Sequence, residues 1–138
     1  MKIFHIGIAV SDLTAALARY RRLFPIADES VHAEVVEEQG VELRSFPVGD
    51  QQIELLGATR DDSPIAKFIA KRGEGIHHIA VEVDDIVAEL ARLKGLGVRL
   101  IDETPRRGAH DMLIAFIHPS EFNGVLLELS QKRNEDAR

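Results

Sequence analysis

The chain states one pattern twice, and this repeat constrains its fold more than any other feature. His5-Ile6-Gly7-Ile8-Ala9-Val10, followed by an acidic turn and Leu13 to Tyr20, recurs as His78-Ile79-Ala80-Val81-Glu82-Val83, followed by Asp84-Asp85 and Ile86 to Leu93. Setting His5 on His78 also sets Asp12 on Asp85, Leu17 on Leu90 and Arg19 on Arg92. Each half closes on an apolar run holding one carboxylate, Ile53-Glu54-Leu55 in the first and Leu127-Glu128-Leu129 in the second. A fixed-period repeat dictates architecture before any local assignment is made. Here it also pairs two histidines with two glutamates.

Within each copy the hydrophobic period changes in the same order. Residues 3–10 alternate, so Ile6, Ile8 and Val10 face one way while His5, Gly7 and Ala9 face the other. Ser11 or Asp12 then caps a helix with Leu13, Ala16, Leu17, Tyr20 and Phe24 at helical spacing, and Pro25 ends it. Segments near 31–37, 41–48 and 51–56 are β-rich and separated by the turn signals Gln39-Gly40 and Gly49-Asp50. The second copy predicts a strand over 76–83, then a helix over 85–96 with Ile86, Leu90, Leu93 and Leu96 inward and Gly97 as its cap. Strands near 98–102, 112–118 and 124–130 complete it. Ser63-Pro64 opens a short helix in the linker. The fold class is therefore α+β, two βαβββ modules related by a pseudo-twofold. Module 1 spans about 1–57, the linker helix about 58–75, module 2 about 76–131 and a polar, frayed tail 132–138, all in a single domain 1–138.

Composition narrows the function classes. A 45% hydrophobic chain of 138 residues supports one compact core. A net charge of -6 argues against a nucleic-acid surface, which needs clustered Lys and Arg. No apolar stretch approaches the roughly 20 residues of a membrane helix, and no charged-then-apolar leader is present. The expectation is a soluble, cytoplasmic protein with no nucleic-acid or membrane partner. With no cysteine, any metal is held by nitrogen and oxygen.

Alternation identifies those ligands. His78, Ala80 and Glu82 share a face opposite Ile79, Val81 and Val83, which selects His78 over His77 as the partner of His5. Glu54 and Glu128 likewise face away from the apolar residues that flank them. A lone histidine at a strand start is usually a surface or structural residue, and a lone glutamate on a strand is usually solvated. Four in symmetric register point to a metal site. Two imidazoles and two carboxylates suit one divalent Mn, Fe, Co, Ni or Zn ion per chain better than Ca or Mg.

At these residues the chain resembles the vicinal-oxygen-chelate (glyoxalase/bleomycin resistance) superfamily, and within it the methylmalonyl-CoA epimerase family. The stretches that carry the resemblance are His5 to Val10, Ser63-Pro64-Ile65-Ala66-Lys67-Phe68, Arg72-Gly73-Glu74-Gly75-Ile76-His77-His78-Ile79-Ala80, and His118-Pro119 with Gly124-Val125-Leu126-Leu127-Glu128-Leu129. It implies a cupped mixed sheet around one divalent metal held by His5, Glu54, His78 and Glu128. Some epimerases carry Gln at the place of Glu54. It also implies interconversion of the 2R and 2S forms of an acyl-CoA substrate by proton abstraction and return at C2, through a metal-stabilised enolate, in a homodimer. Glu128 is the leading catalytic base. A second glutamate follows the Gln-Gly-Val turn in some members; here Leu43 falls at that place without a gap, and adjacent Glu42 reaches the same face only through a register shift.

Two rivals share the fold. A glyoxalase I-type lactoylglutathione lyase uses the same ligand set, but reaches its last glutamate through an Asp-Pro-Asp-Gly-like turn, where this chain has His118-Pro119-Ser120-Glu121-Phe122-Asn123-Gly124. A metal-free small-molecule binding or resistance protein has no use for four ligands. Lys67, Lys71, Arg72, Arg106 and Arg107 are candidates for coenzyme A phosphates or a solvated face, whereas His77, His110 and His118 read as structural.

Overall fold

The alternation of residues 3–10 becomes strand β1 (Lys2–Ala9) in the computed structural model of the chain, which describes residues 1–133. It is followed by α1 (Leu13–Leu23), β2 (His32–Val36), β3 (Val41–Val48), β4 (Gln51–Ala58), α2 (Pro64–Arg72), β5 (Gly75–Glu82), α3 (Ile86–Gly95), β6 (Arg106–Arg107), β7 (Met112–Ile117) and β8 (Leu126–Lys132). Each half thus reads β-α-β-β-β, with α2 joining them, and the fold class is α+β. Contacts divide the chain into two compact units, His5–His77 and Met1–Phe4 with the chain from His78 onward. Among the described residues no helix is long and apolar enough to cross a membrane.

In the first unit the strand order is β2-β3-β4-β1, with β4 antiparallel to β3 and parallel to β1. Asp12 caps α1 by accepting the Ala15 N–H at 3.0 Å, and the last turn closes with the Phe24 N–H on the Tyr20 carbonyl before Pro25, which has no N–H to donate. Tyr20 and Phe24 pack on Phe46 at ring distances of 6.3 and 5.7 Å, so α1 covers the face of β3 that carries Phe46. Gly40, at φ +64°, turns the chain into β3, and its missing side chain matters. A Cβ there would stand 2.8 Å from the guanidinium carbon of Arg60, whose Nη1 and Nη2 groups donate to the Glu37 and Glu38 carbonyls. Ser63 caps α2 by accepting the Ile65 N–H at 3.1 Å.

In the second unit the order is β5-β8-β7-β6, again with one parallel pair, β5 and β8. Asp85 caps α3 as Asp12 caps α1, through the Ala88 N–H at 3.0 Å. Ile86 and Leu90 bury against Val83, Ala115, Ile117 and Leu129. The helix stops at Gly95, so Leu96 closes it in place of Gly97 and is exposed rather than inward; Gly97 follows in the left-handed region at φ 78°.

The strand expected near 98–102 does not form, leaving one bridge between Leu100 and Ile117. The reason is local. The Asp102 carboxylate accepts the Phe116 N–H at 2.9 Å while the N–H groups of Ile101 and Asp102 both point at the Phe116 carbonyl, so a side chain takes the donor that a ladder would use. Pairing with β7 resumes only at Arg106–Arg107, after Pro105. Of the tail expected to fray from 132, Lys132 ends β8 and Arg133 donates to Asp111 at 2.9 Å, so these two residues are ordered. Residues 134–138 lie outside the described residues.

Candidate active site

Directly opposed residues of paired strands point to the same face, so the registers define what surrounds each glutamate. In the first unit His5, Gly7 and Ala9 of β1 lie across from Gln52, Glu54 and Leu56 of β4, which in turn oppose Pro47, Ser45 and Leu43 of β3. Glu54 therefore sits between Gly7 and Ser45. His5 and Glu54 are both buried, 3% exposed each, with His5 Nε2 3.5 Å from Glu54 Oε1. The small-residue face of β1 makes this burial feasible, since Gly7 leaves room for a carboxylate where a larger side chain would fill the space.

The second unit repeats the arrangement. Glu128 of β8 lies between Ala80 of β5 and Phe116 of β7, and His78 stands one pleat away on the same face of β5. Both are buried, with His78 Nε2 3.8 Å from Glu128 Oε1. The Phe116 ring meets His78 edge-on, centroids 6.3 Å apart, and the Arg106 guanidinium lies over that ring, 5.3 Å from its centroid. The two pairs differ in what flanks the glutamate: Gly7 and the Ser45 hydroxyl beside Glu54, Ala80 and the Phe116 ring beside Glu128.

Buried carboxylates need compensating charge or hydrogen bonds. Each His–Glu pair is spaced beyond the roughly 2.7–2.9 Å of a charge-assisted hydrogen bond. Imidazole nitrogens and carboxylate oxygens buried side by side are donors suited to a divalent transition ion, so the residues present fit such a group.

The remaining histidines separate from these pairs. His77 turns to the opposite face and packs edge-on against Phe68, centroids 5.0 Å apart. Burial, and then the nearby Arg72 charge, push its pKa down to about 4, so its ring is neutral near pH 7. His118 caps the turn at Pro119–Phe122 by accepting the Ser120 N–H at 3.0 Å. His110 lies edge-on to Phe4, and His32 pairs with Glu34 at 2.8 Å.

The β3–β4 register runs unbroken from Val41 opposite Ala58 to Val48 opposite Gln51, with no bulge. Leu43 is consequently on the face of Glu54, buried opposite Leu56. Glu42 is on the reverse face, opposite Gly57, half-exposed and accepting from Arg44 at 3.0 Å. Lys67, Lys71, Arg72, Arg106 and Arg107 are all exposed, and Arg106 stands 3.5 Å from Asp102. Sequence reasoning missed Ser45 and Phe116. The signal for Ser45 was present, since it and Glu54 lie equally far from the Gly49-Asp50 turn and so must oppose each other in a two-residue hairpin.

Comparison with known proteins agrees with this fold. Residues 4–116 match the sequence profile of the Glyoxalase/Bleomycin resistance protein/Dioxygenase superfamily. The ethylmalonyl-CoA/methylmalonyl-CoA epimerase of Cereibacter sphaeroides is 40% identical over 132 residues, covering 94% of this chain and 97% of that protein. The crystal structure of methylmalonyl-CoA epimerase from Mycobacterium tuberculosis matches with a TM-score of 0.89 at 39% identity, over 99% of this chain and 91% of its own. A methylmalonyl-CoA epimerase in complex with methylmalonyl-CoA and NH4+ matches with a TM-score of 0.88 at 40% identity, over 95% of this chain and 94% of its own. The chain belongs to the methylmalonyl-CoA epimerase family of the glyoxalase/bleomycin resistance protein/dioxygenase superfamily, and is an enzyme with its glyoxalase-like fold.

Proposed function

We propose that this enzyme interconverts the 2R and 2S forms of methylmalonyl-CoA, with His5, Glu54, His78 and Glu128 as ligands to one divalent transition ion per chain. The observation that carries the reading is the recurrence of a buried His–Glu pair in each unit, in a chain that matches epimerases over nearly its whole length. When bound, the ion supplies a Lewis acid for the thioester and carboxylate oxygens of the substrate. Glu128 takes the C2 proton: its Ala80 and Phe116 neighbours hold off water, and a carboxylate is a competent base at this carbon. Return of the proton on the opposite face falls to Glu54 by the repeat, since the unbroken β3–β4 register turns Glu42 to the reverse face. Homodimerisation is proposed on the family resemblance, with β2 at the edge of its sheet.

The direct test is exchange. Methylmalonyl-CoA incubated with the enzyme in deuterated water is expected to lose its C2 proton signal, and to lose it only when divalent metal is present. No exchange on this substrate, with turnover of a glutathione hemithioacetal instead, would assign the chain to the lyases.

Glu42 gives a second expected result. Because its side chain leaves the face that carries Glu54, Glu42→Gln is expected to retain epimerisation within about twofold of the parent, as a surface polar substitution does. A collapse of rate with metal content unchanged would make Glu42 the second base.

A further inference from the structure

Ser45 has no place in the ligand set, yet its side chain is completely buried and its hydroxyl has no hydrogen-bond partner among the described residues. Such a group is costly to keep, because folding strips it of water and gives nothing back. It stands directly across from Glu54, where opposed Cβ atoms lie about 4.5–5.5 Å apart and a serine hydroxyl can reach a carboxylate. The equivalent place beside Glu128 is held by Phe116, which has no donor.

We propose that Ser45 is a positioning residue for Glu54: its hydroxyl donates to the Glu54 carboxylate when that carboxylate turns to a bound divalent ion, leaving the other oxygen to ligate. This rests on the metal reading above. Ligating carboxylates are themselves generally hydrogen-bonded, and loss of such an outer partner typically costs about 10–100-fold in affinity. The same asymmetry makes the two glutamates unequal. A hydroxyl stands beside Glu54, and a ring and a methyl group stand beside Glu128.

The test uses Co(II) as the probe, with affinity from chelator competition and the visible d–d band as a signature of the ligand field. Ser45→Ala is expected to weaken Co(II) binding about 10–100-fold and to shift the band. In the metal-free protein the same substitution removes no hydrogen bond, so its Tm is expected to hold or to rise by about 1–4 °C. Ser130 is the control: it is equally buried, but its hydroxyl meets the Val81 carbonyl at 3.4 Å. Ser130→Ala is expected to lower the metal-free Tm and to leave Co(II) affinity unchanged. Opposite signs for metal-free stability and metal affinity in Ser45→Ala support the proposal. Unchanged Co(II) affinity in Ser45→Ala, with binding intact in the parent, overturns this inference alone; a parent that binds no Co(II) overturns the metal reading and this inference together.

Discussion

Glu128→Gln is expected to reduce epimerisation by about 10²–10⁴-fold, the usual effect of losing one general base. The substitution preserves shape, and the amide oxygen remains able to ligate. What disappears is the capacity to accept a proton. Metal content is therefore expected to fall far less than the rate, and this separation is the informative result. Glu128 is buried between Ala80 and Phe116. In transition-state terms the loss corresponds to about 3–5 kcal/mol. The check combines metal analysis of the purified variant with initial rates at saturating substrate. A Glu128→Gln enzyme turning over at near-parental speed would leave Glu128 a ligand at most.

The second large effect concerns the histidines. The parent protein, stripped with chelator and reconstituted, is expected to bind about one divalent transition ion per chain. His5→Ala combined with His78→Ala is expected to abolish stoichiometric binding, because it deletes the imidazole from both buried pairs and leaves two carboxylates that favour hard, hydrated ions less suited to this donor set. Elemental analysis before and after desalting measures this directly. Retention of a full equivalent by the double variant would show that the ion is held elsewhere.

The repeat made both modules legible, because the change from alternation to helical spacing occurs twice at the same offset. Asp12 and Asp85 even cap their helices through the same N–H position. Alternation alone placed His5, His78, Glu54 and Glu128 away from the helices that cover Phe46 and Leu129. It could not show that this face is buried more completely than the isoleucine face, because burial depends on what covers a strand rather than on the strand itself.

The segment 98–102 failed for a different reason. Its composition is strand-like, but the Asp102 side chain competes for a backbone donor, and that competition depends on a partner 14 residues away in sequence. Ser45 and Phe116 are not metal-ligating residue types, so composition does not single them out. Their importance comes from the register, which sets them beside the glutamates.

The parallel pairing of β1 with β4, and of β5 with β8, carries a consequence for how the protein assembles. No tight turn can join parallel neighbours, so each pair closes only after the chain between them has folded into a helix and a hairpin. His5 and Glu54 are 54 − 5 = 49 positions apart, and His78 and Glu128 are 128 − 78 = 50. Closing loops of that length costs entropy that local contacts must offset first. Each His–Glu pair is thus expected to be among the late contacts a module completes. An ion captured by these side chains is then expected to leave the folding rate nearly unchanged and to slow unfolding, which folding and unfolding rates with and without Co(II) would measure.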